Sequence, residues 1–174
     1  MKLEELIDSR EDRDAILQHC RVTGDDRAEI RDTGDTVIFP VENETLTDRL
    51  LTGFGKNGKA YDYTAYDRAL DSAWISPRRA GMMMMRLRYP TDLTPEKQAE
   101  LRQKISENLE KVLKRTAAEK NQEVLGLLCD GGVFTADNID DAVRTLRGTG
   151  CYEMMVMLMN WKKEHIRSDF DYSL

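Results

Sequence analysis

Apolar positions change spacing several times along this chain, and each change predicts a different element. Leu3, Leu6 and Ile7, then Ile16, Leu17 and Cys20, recur at three- and four-residue steps, as on the buried face of a helix. Ser9 with Asp12 three positions on predicts an N-cap and a second helix from Arg10, which Gly24 stops. Residues 28–31 and 36–41 flank Asp32-Thr-Gly-Asp35, where Gly34 supplies the positive φ of a tight turn, so a β-hairpin is expected. Pro40 ends its second strand or places it at an edge. A short helix over 45–51, a loop over 53–59 and a helix with Tyr66, Ala69, Leu70, Ala73 and Trp74 on one side follow. Pro77 and Gly81 predict a loop. Met83, Met85, Leu87 and Tyr89 then alternate with Met84, Arg86 and Arg88, which predicts a strand over 82–89 closed by Pro90.

Past Pro90 the period is helical throughout. Thr94-Pro95 reads as an N-cap with proline at the first helical position. Leu101, Ile105, Leu109, Val112 and Leu113 form one seam running to Ala117. Lys120-Asn121, Gly131-Gly132, Thr135 as an N-cap, and Gly148 with Gly150 divide the rest, so four helices in antiparallel hairpins are expected. Within them, Asn121-Gln-Glu-Val-Leu-Gly-Leu-Leu-Cys-Asp130 is echoed thirty residues later by Cys151-Tyr-Glu-Met-Met-Val-Met-Leu-Met-Asn160. A fixed period near thirty is the mark of stacked helical units, none able to bury its apolar face alone. The expected fold class is α+β: a unit over 1–90 with a short sheet, packed on an all-helical hairpin array over 91–174.

The passage Ala117-Ala-Glu-Lys-Asn-Gln-Glu-Val-Leu-Gly-Leu-Leu128 resembles an ankyrin repeat. There an alanine pair ends the first helix, a polar turn follows, and a second helix opens on an acid and a Val/Leu run. Residues 149–158 are similar to the same passage one unit later, so the resemblance spans roughly 95–165. It departs from the family in two ways. Thr135-Ala-Asp-Asn138 stands where Thr-Pro-Leu-His is usual, and the shorter period falls in a reduced finger, Asp130-Gly-Gly-Val-Phe134. The resemblance implies protein–protein recognition without catalysis, through the finger and the inner helix 137–147.

Composition narrows the picture little. The chain has 174 residues, 33 % charged and 40 % hydrophobic, as expected of a globular protein with a large solvated surface. Its longest apolar run, 154–159, is far too short for a bilayer, and Glu4, Glu5 and Asp8 stand where a secretory signal needs bases; the expected location is cytoplasmic. Three cysteines without a close pair make neither a disulfide framework nor a zinc knuckle. Net charge is −6, unevenly spread: eleven acids and six bases over 1–35, but seven bases and three acids over 54–90. Lys56, Lys59, Arg78, Arg79, Arg86 and Arg88 are therefore the candidate partner- or nucleic-acid-binding residues, the arginines with Trp74 and Tyr89 nearby. The plainer account of this cluster is an exposed sheet face neutralised by the acidic N-terminal region.

Catalytic, cofactor and metal sites are not expected. Gly53-Phe-Gly55-Lys-Asn-Gly58 has the spacing of a dinucleotide loop but lacks the preceding strand and following helix, so a surface loop is expected. His19 and His165 lie far apart in sequence, neither with a second ligand at helical-site spacing. Methionines at 154, 155, 157 and 159 cover much of the last helix. This predicts that helix 151–165 packs against the α+β half or against a second copy, as a homodimer. The expected function is a non-enzymatic adaptor, regulator or inhibitor that binds another protein. The alternative is a nucleic-acid-associated phage or mobile-element factor, such as an inhibitor of a host nuclease, acting through the basic cluster.

Overall fold

The structure is a computed structural model and describes residues 1–72 and 75–166; the predicted helical positions Ala73 and Trp74 lie outside the described residues. The fold is α+β, and the chain divides into two compact units. One comprises Met1–Trp74 with Met85–Gln98, the other Ile75–Met84 with Ala99–Leu174.

The first unit opens with helices α1 (Leu3–Asp8) and α2 (Arg13–His19). α2 begins three residues later than expected, because the predicted Ser9 cap holds no helix amide and Asp12, expected inside the first turn, stands at the cap instead. The Ser9 hydroxyl donates back to the Leu6 carbonyl at 2.8 Å. The Asp12 carboxylate is taken up by the Arg10 guanidinium at 2.8 and 2.9 Å. Strands β1 (Cys20–Val22), β2 (Arg27–Ile30) and β3 (Thr36–Ile38) form an antiparallel sheet in that order. Cys20 lies opposite Ile30, and Ala28 opposite Val37. The expected hairpin is β2–β3, and Gly34 makes its turn at φ 74°.

Helices α3 (Glu44–Leu51) and α4 (Thr64–Leu70) follow. Between them a short 3-10 turn at Lys56–Gly58 interrupts the glycine-rich loop. Phe39, Phe54, Tyr61, Tyr63 and Tyr66 form an aromatic cluster, mostly edge-on, with centroids 4.6 to 6.4 Å apart. The buried hydroxyls have partners: Tyr61 donates to the Leu50 carbonyl at 2.9 Å and Tyr66 to the Ile38 carbonyl at 2.6 Å.

Residues 82–89 are not a strand. Helix α5 runs Pro77–Arg88, and the third strand of the sheet is β1 instead. Residues 77–88 contain no β-branched side chain and are rich in Met, Leu, Arg and Ala, all good helix formers. Pro77 takes the first turn and the Ser76 hydroxyl oxygen accepts the Arg79 amide at 3.1 Å, so the start is capped. Every residue from Ala80 to Leu87 is buried. A run of four methionines buried on all sides carries no period, and the apparent alternation came from Arg86 and Arg88 alone.

The second unit is helical from α6 (Pro95–Glu107), capped as expected by the Thr94 hydroxyl accepting the Lys97 amide at 3.2 Å. The seam predicted as one helix to Ala117 breaks at Asn108, whose side-chain amide donates to the Lys104 carbonyl at 2.8 Å. Five helices therefore follow Pro90 among the described residues: α6, α7 (Leu109–Ala118), α8 (Gln122–Asp130), α9 (Ile139–Gly148) and α10 (Tyr152–His165). Thr135 does not cap α9 directly. Asn138 occupies the cap, and its side-chain oxygen accepts the Thr135 amide at 2.8 Å.

Candidate interaction surface

The thirty-residue echo is carried into the backbone. α7 and α9 begin and end thirty residues apart, and so do the starts of α8 and α10. The turns match residue by residue. Lys120 and Gly150 both have positive φ, 52° and 76°, and the next residues, Asn121 and Cys151, have φ/ψ of −86°/79° and −84°/81°. In each turn the first amide of the second helix donates back to the positive-φ residue at 3.1 Å. Leu109, Val112, Val124 and Leu128 are buried, and so are their counterparts Ile139, Ala142, Met154 and Leu158.

The two hairpins, α7–α8 and α9–α10, stack, with α7 against α9 and α8 against α10. Glu110 and Leu113 of α7 line one seam with Ala142 of α9. On the other side, the Gln122 side-chain amide donates to the Glu153 carboxylate at 3.3 Å. A Cβ on Gly126 would sit 3.7 Å from the Met157 methyl, so α8 and α10 approach closely there. Glu110, Leu113, Gln122 and Gly126 thus form the face on which the first hairpin receives the second.

Thirty residues on, the same four positions are Asp140, Val143, Tyr152 and Val156, and no third hairpin lies on them among the described residues. Tyr152 is 64 % exposed, Val156 49 % and Met159, one turn further, 43 %. Between α9 and α10, a groove of about 570 Å³ is lined by Asp140, Val143, Arg144, Arg147, Met159, Lys162, Lys163 and Ile166. Its lining carries four bases and one acid in a chain of net charge −6. Lys162 pairs with Asp140 at 2.6 Å and Arg144 with Asp141 at 2.7 Å. Arg147 and Lys163 are exposed and make no ion pair among the described residues.

The basic residues singled out from sequence do not form one patch. Arg86 is 3 % exposed, so it is not a surface residue. Its guanidinium donates to both Asp67 carboxylate oxygens, at 2.8 and 3.1 Å, and to the Tyr89 and Thr91 carbonyls, at 2.9 and 2.7 Å. It also lies 3.7 Å over the Tyr63 ring. Arg86 is a structural ion, and it shares no face with Arg88, because residues two apart on a helix point about 200° from each other. Arg88 is exposed in the last turn of α5, 6.0 Å from the Tyr89 ring centroid. Arg78 and Arg79 are half-buried in its first turn and both are engaged. Lys59 pairs with Asp92 at 3.2 Å, which leaves Lys56 exposed and without an ion pair among the described residues.

The glycine-rich loop follows a helix and folds onto itself. Phe54 bridges to Tyr61, and the Asn57 side-chain amide donates to Asp62 at 2.6 Å. Asp62 also accepts from the Thr64 hydroxyl at 2.6 Å and from the Thr64 amide at 3.0 Å. These bonds, those from Thr64 foremost, hold its carboxyl down at a pKa of about 2. Burial raises the Cys20 thiol to about 11 and the Cys129 thiol to about 12. His165 stacks on Trp161 at 4.8 Å, while the His19 ring abuts Gly55. Among the described residues no three His, Cys, Asp or Glu side chains are placed to hold a metal ion, and no helix is long and apolar enough to cross a membrane.

No protein-family profile, no curated protein and no solved structure matches this chain. The surface that the geometry singles out, the outer face of α9–α10, contains none of the six residues expected from sequence. A signal was nevertheless present: laying each residue on the one thirty positions earlier puts Arg147 where Ala117 stands and Val156 where Gly126 stands. Such exchanges mark a face with a different neighbour.

Proposed function

We propose that this protein is a non-enzymatic, cytoplasmic interaction module, an adaptor, regulator or inhibitor, whose helical half is an ankyrin-like hairpin array that binds another protein. One observation carries the reading. Two hairpins repeat in register, and the second exposes Tyr152 and Val156 at positions where the first receives its neighbour, with Met159 one turn further. Stacked hairpins owe much of their stability to neighbouring units, so a unit ending in exposed apolar side chains suits a surface completed by a partner. That partner can be a second copy meeting helix 151–165 or a different protein. Affinity capture from nuclease-treated extract of the source cell, with mass spectrometry, tests it. A stoichiometric protein partner, or self-association by sedimentation, is expected; a monomer that retains no protein contradicts it.

A second reading, nucleic-acid association by a phage or mobile-element factor, rests on exposed Lys56 and Arg88. Without Arg86 the cluster is thinner than its sequence suggests, and Lys59 is already paired. Retention on labelled DNA across a salt series tests this reading: steep loss with salt supports it, and no retention at low salt removes it.

A further inference from the structure

We propose that the groove between α9 and α10 is a docking site for an acidic, amphipathic segment of a protein partner. The inference rests on the protein-recognition reading and assigns it a surface and a chemistry. A hairpin that merely closed a stack would carry polar residues on its outer face. Here two of the four stacking positions change in the opposite sense, Gln122 to Tyr152 and Gly126 to Val156, and both new side chains are exposed. Met159 continues the stripe into the groove, where Val143 and Ile166 add apolar wall. Residues 152, 156 and 159 follow four- and three-residue steps, the spacing at which one helix presents anchors to another.

Charge selects among occupants. Of the four bases in the groove, Lys162 and Arg144 are paired with Asp140 and Asp141, and Arg147 and Lys163 have no ion-pair partner among the described residues. A second copy bringing the same face would set like charges together, so self-pairing through the groove is disfavoured. A nucleic-acid backbone would meet the cations but leave the exposed Val156 and Met159 against phosphate and water. A segment with leucine-like residues on one side and carboxylates on the flanks satisfies both halves of the lining. A groove of about 570 Å³ is of a size that takes a few side chains, with the stripe toward Tyr152 extending the contact.

The test uses the full chain and a fluorescein-labelled amphipathic helical peptide with leucines at i, i+3, i+4 and i+7 and glutamates on the flanks. Fluorescence anisotropy compares it with the same peptide carrying Lys for every Glu, and with a labelled single-stranded oligonucleotide. The glutamate peptide is expected to bind, and Arg147→Glu with Lys163→Glu to weaken it about tenfold or more. Val156→Asp should weaken it too, whereas Lys111→Glu, a charge reversal of the same kind at one position on exposed α7 surface, should not. All four substituted positions are exposed, and unchanged circular dichroism confirms folding. Equal binding by wild type and the Arg147/Lys163 variant overturns the groove assignment while leaving protein recognition standing. Absence of peptide binding overturns it as well, and binding of the oligonucleotide alone overturns both. Equal binding of the lysine peptide removes the acidic specificity.

Discussion

Replacing Arg86 with methionine keeps most of the side chain's volume but removes its charge and all its donors. In the folded chain four donor contacts end on the two Asp67 oxygens and on the Tyr89 and Thr91 carbonyls, and the cation lies 3.7 Å over Tyr63. Removing one partner of a buried ion pair costs about 3–5 kcal/mol, because the other charge stays behind without compensation. Asp67 retains some contact with water, its side chain being 22 % exposed, so the lower end applies. A loss of about 3 kcal/mol corresponds to roughly a 150-fold rise in the unfolding constant. Urea unfolding followed by tyrosine near-ultraviolet circular dichroism reads this directly, since the first unit holds the aromatic cluster. Adding Asp67→Leu to the variant should recover only part of the loss, because the two carbonyls still lack donors. A cost for Arg86→Met of less than about 1 kcal/mol would place the pair among solvent-screened surface ion pairs and refute the reasoning.

Three further outcomes follow from local geometry. Asp62 titrates below its unfolded value, so its bonds to Thr64 and Asn57 add stability that is fully present above about pH 4 and is lost as pH falls to about 2. Melting temperatures across that window should fall less steeply in Asp62→Asn than in wild type, and parallel curves would contradict the assignment. Cys20 and Cys129 are buried with raised pKa values, so in the folded protein only half-buried Cys151 should react promptly with a thiol reagent; release of three equivalents at once contradicts this. A Cβ at Gly131 would lie 2.5 Å from the Met84 sulfur, so Gly131→Ala should cost about 1–3 kcal/mol in urea unfolding, and a neutral result would mean the sulfur moves aside freely.

Local turn chemistry was legible from the sequence. Gly34 marked the β2–β3 turn and Thr94-Pro95 the start of α6, because each residue acts through its own backbone or cap. Burial on all sides was not legible. Met82 to Met85 supply no polar phase, so the two arginines imposed a false period of two on a helix. Arg86 looked like surface cation for the same reason, since one sequence records a charge but not the Asp67 carboxylate brought to it from nineteen residues away. Asn108 broke a seam whose apolar spacing ran through it, because its side chain competes for the Lys104 carbonyl. The repeat was visible as the echo of 121–130 in 151–160, and it anticipated the stacked hairpins. Which face of the second hairpin is exposed depends on its neighbours in space, and an apolar pattern alone does not encode that.

Protein recognition through the outer face of α9–α10, rather than nucleic-acid binding through the basic residues of 54–90, is tested most directly by parallel capture from nuclease-treated extract of the source cell. Three baits suffice: wild type, Arg147→Glu with Lys163→Glu, and Lys56→Glu with Arg88→Glu. A protein partner retained by the first and third and lost from the second is the predicted result. A partner retained equally by all three, or one lost only from the third, would contradict it.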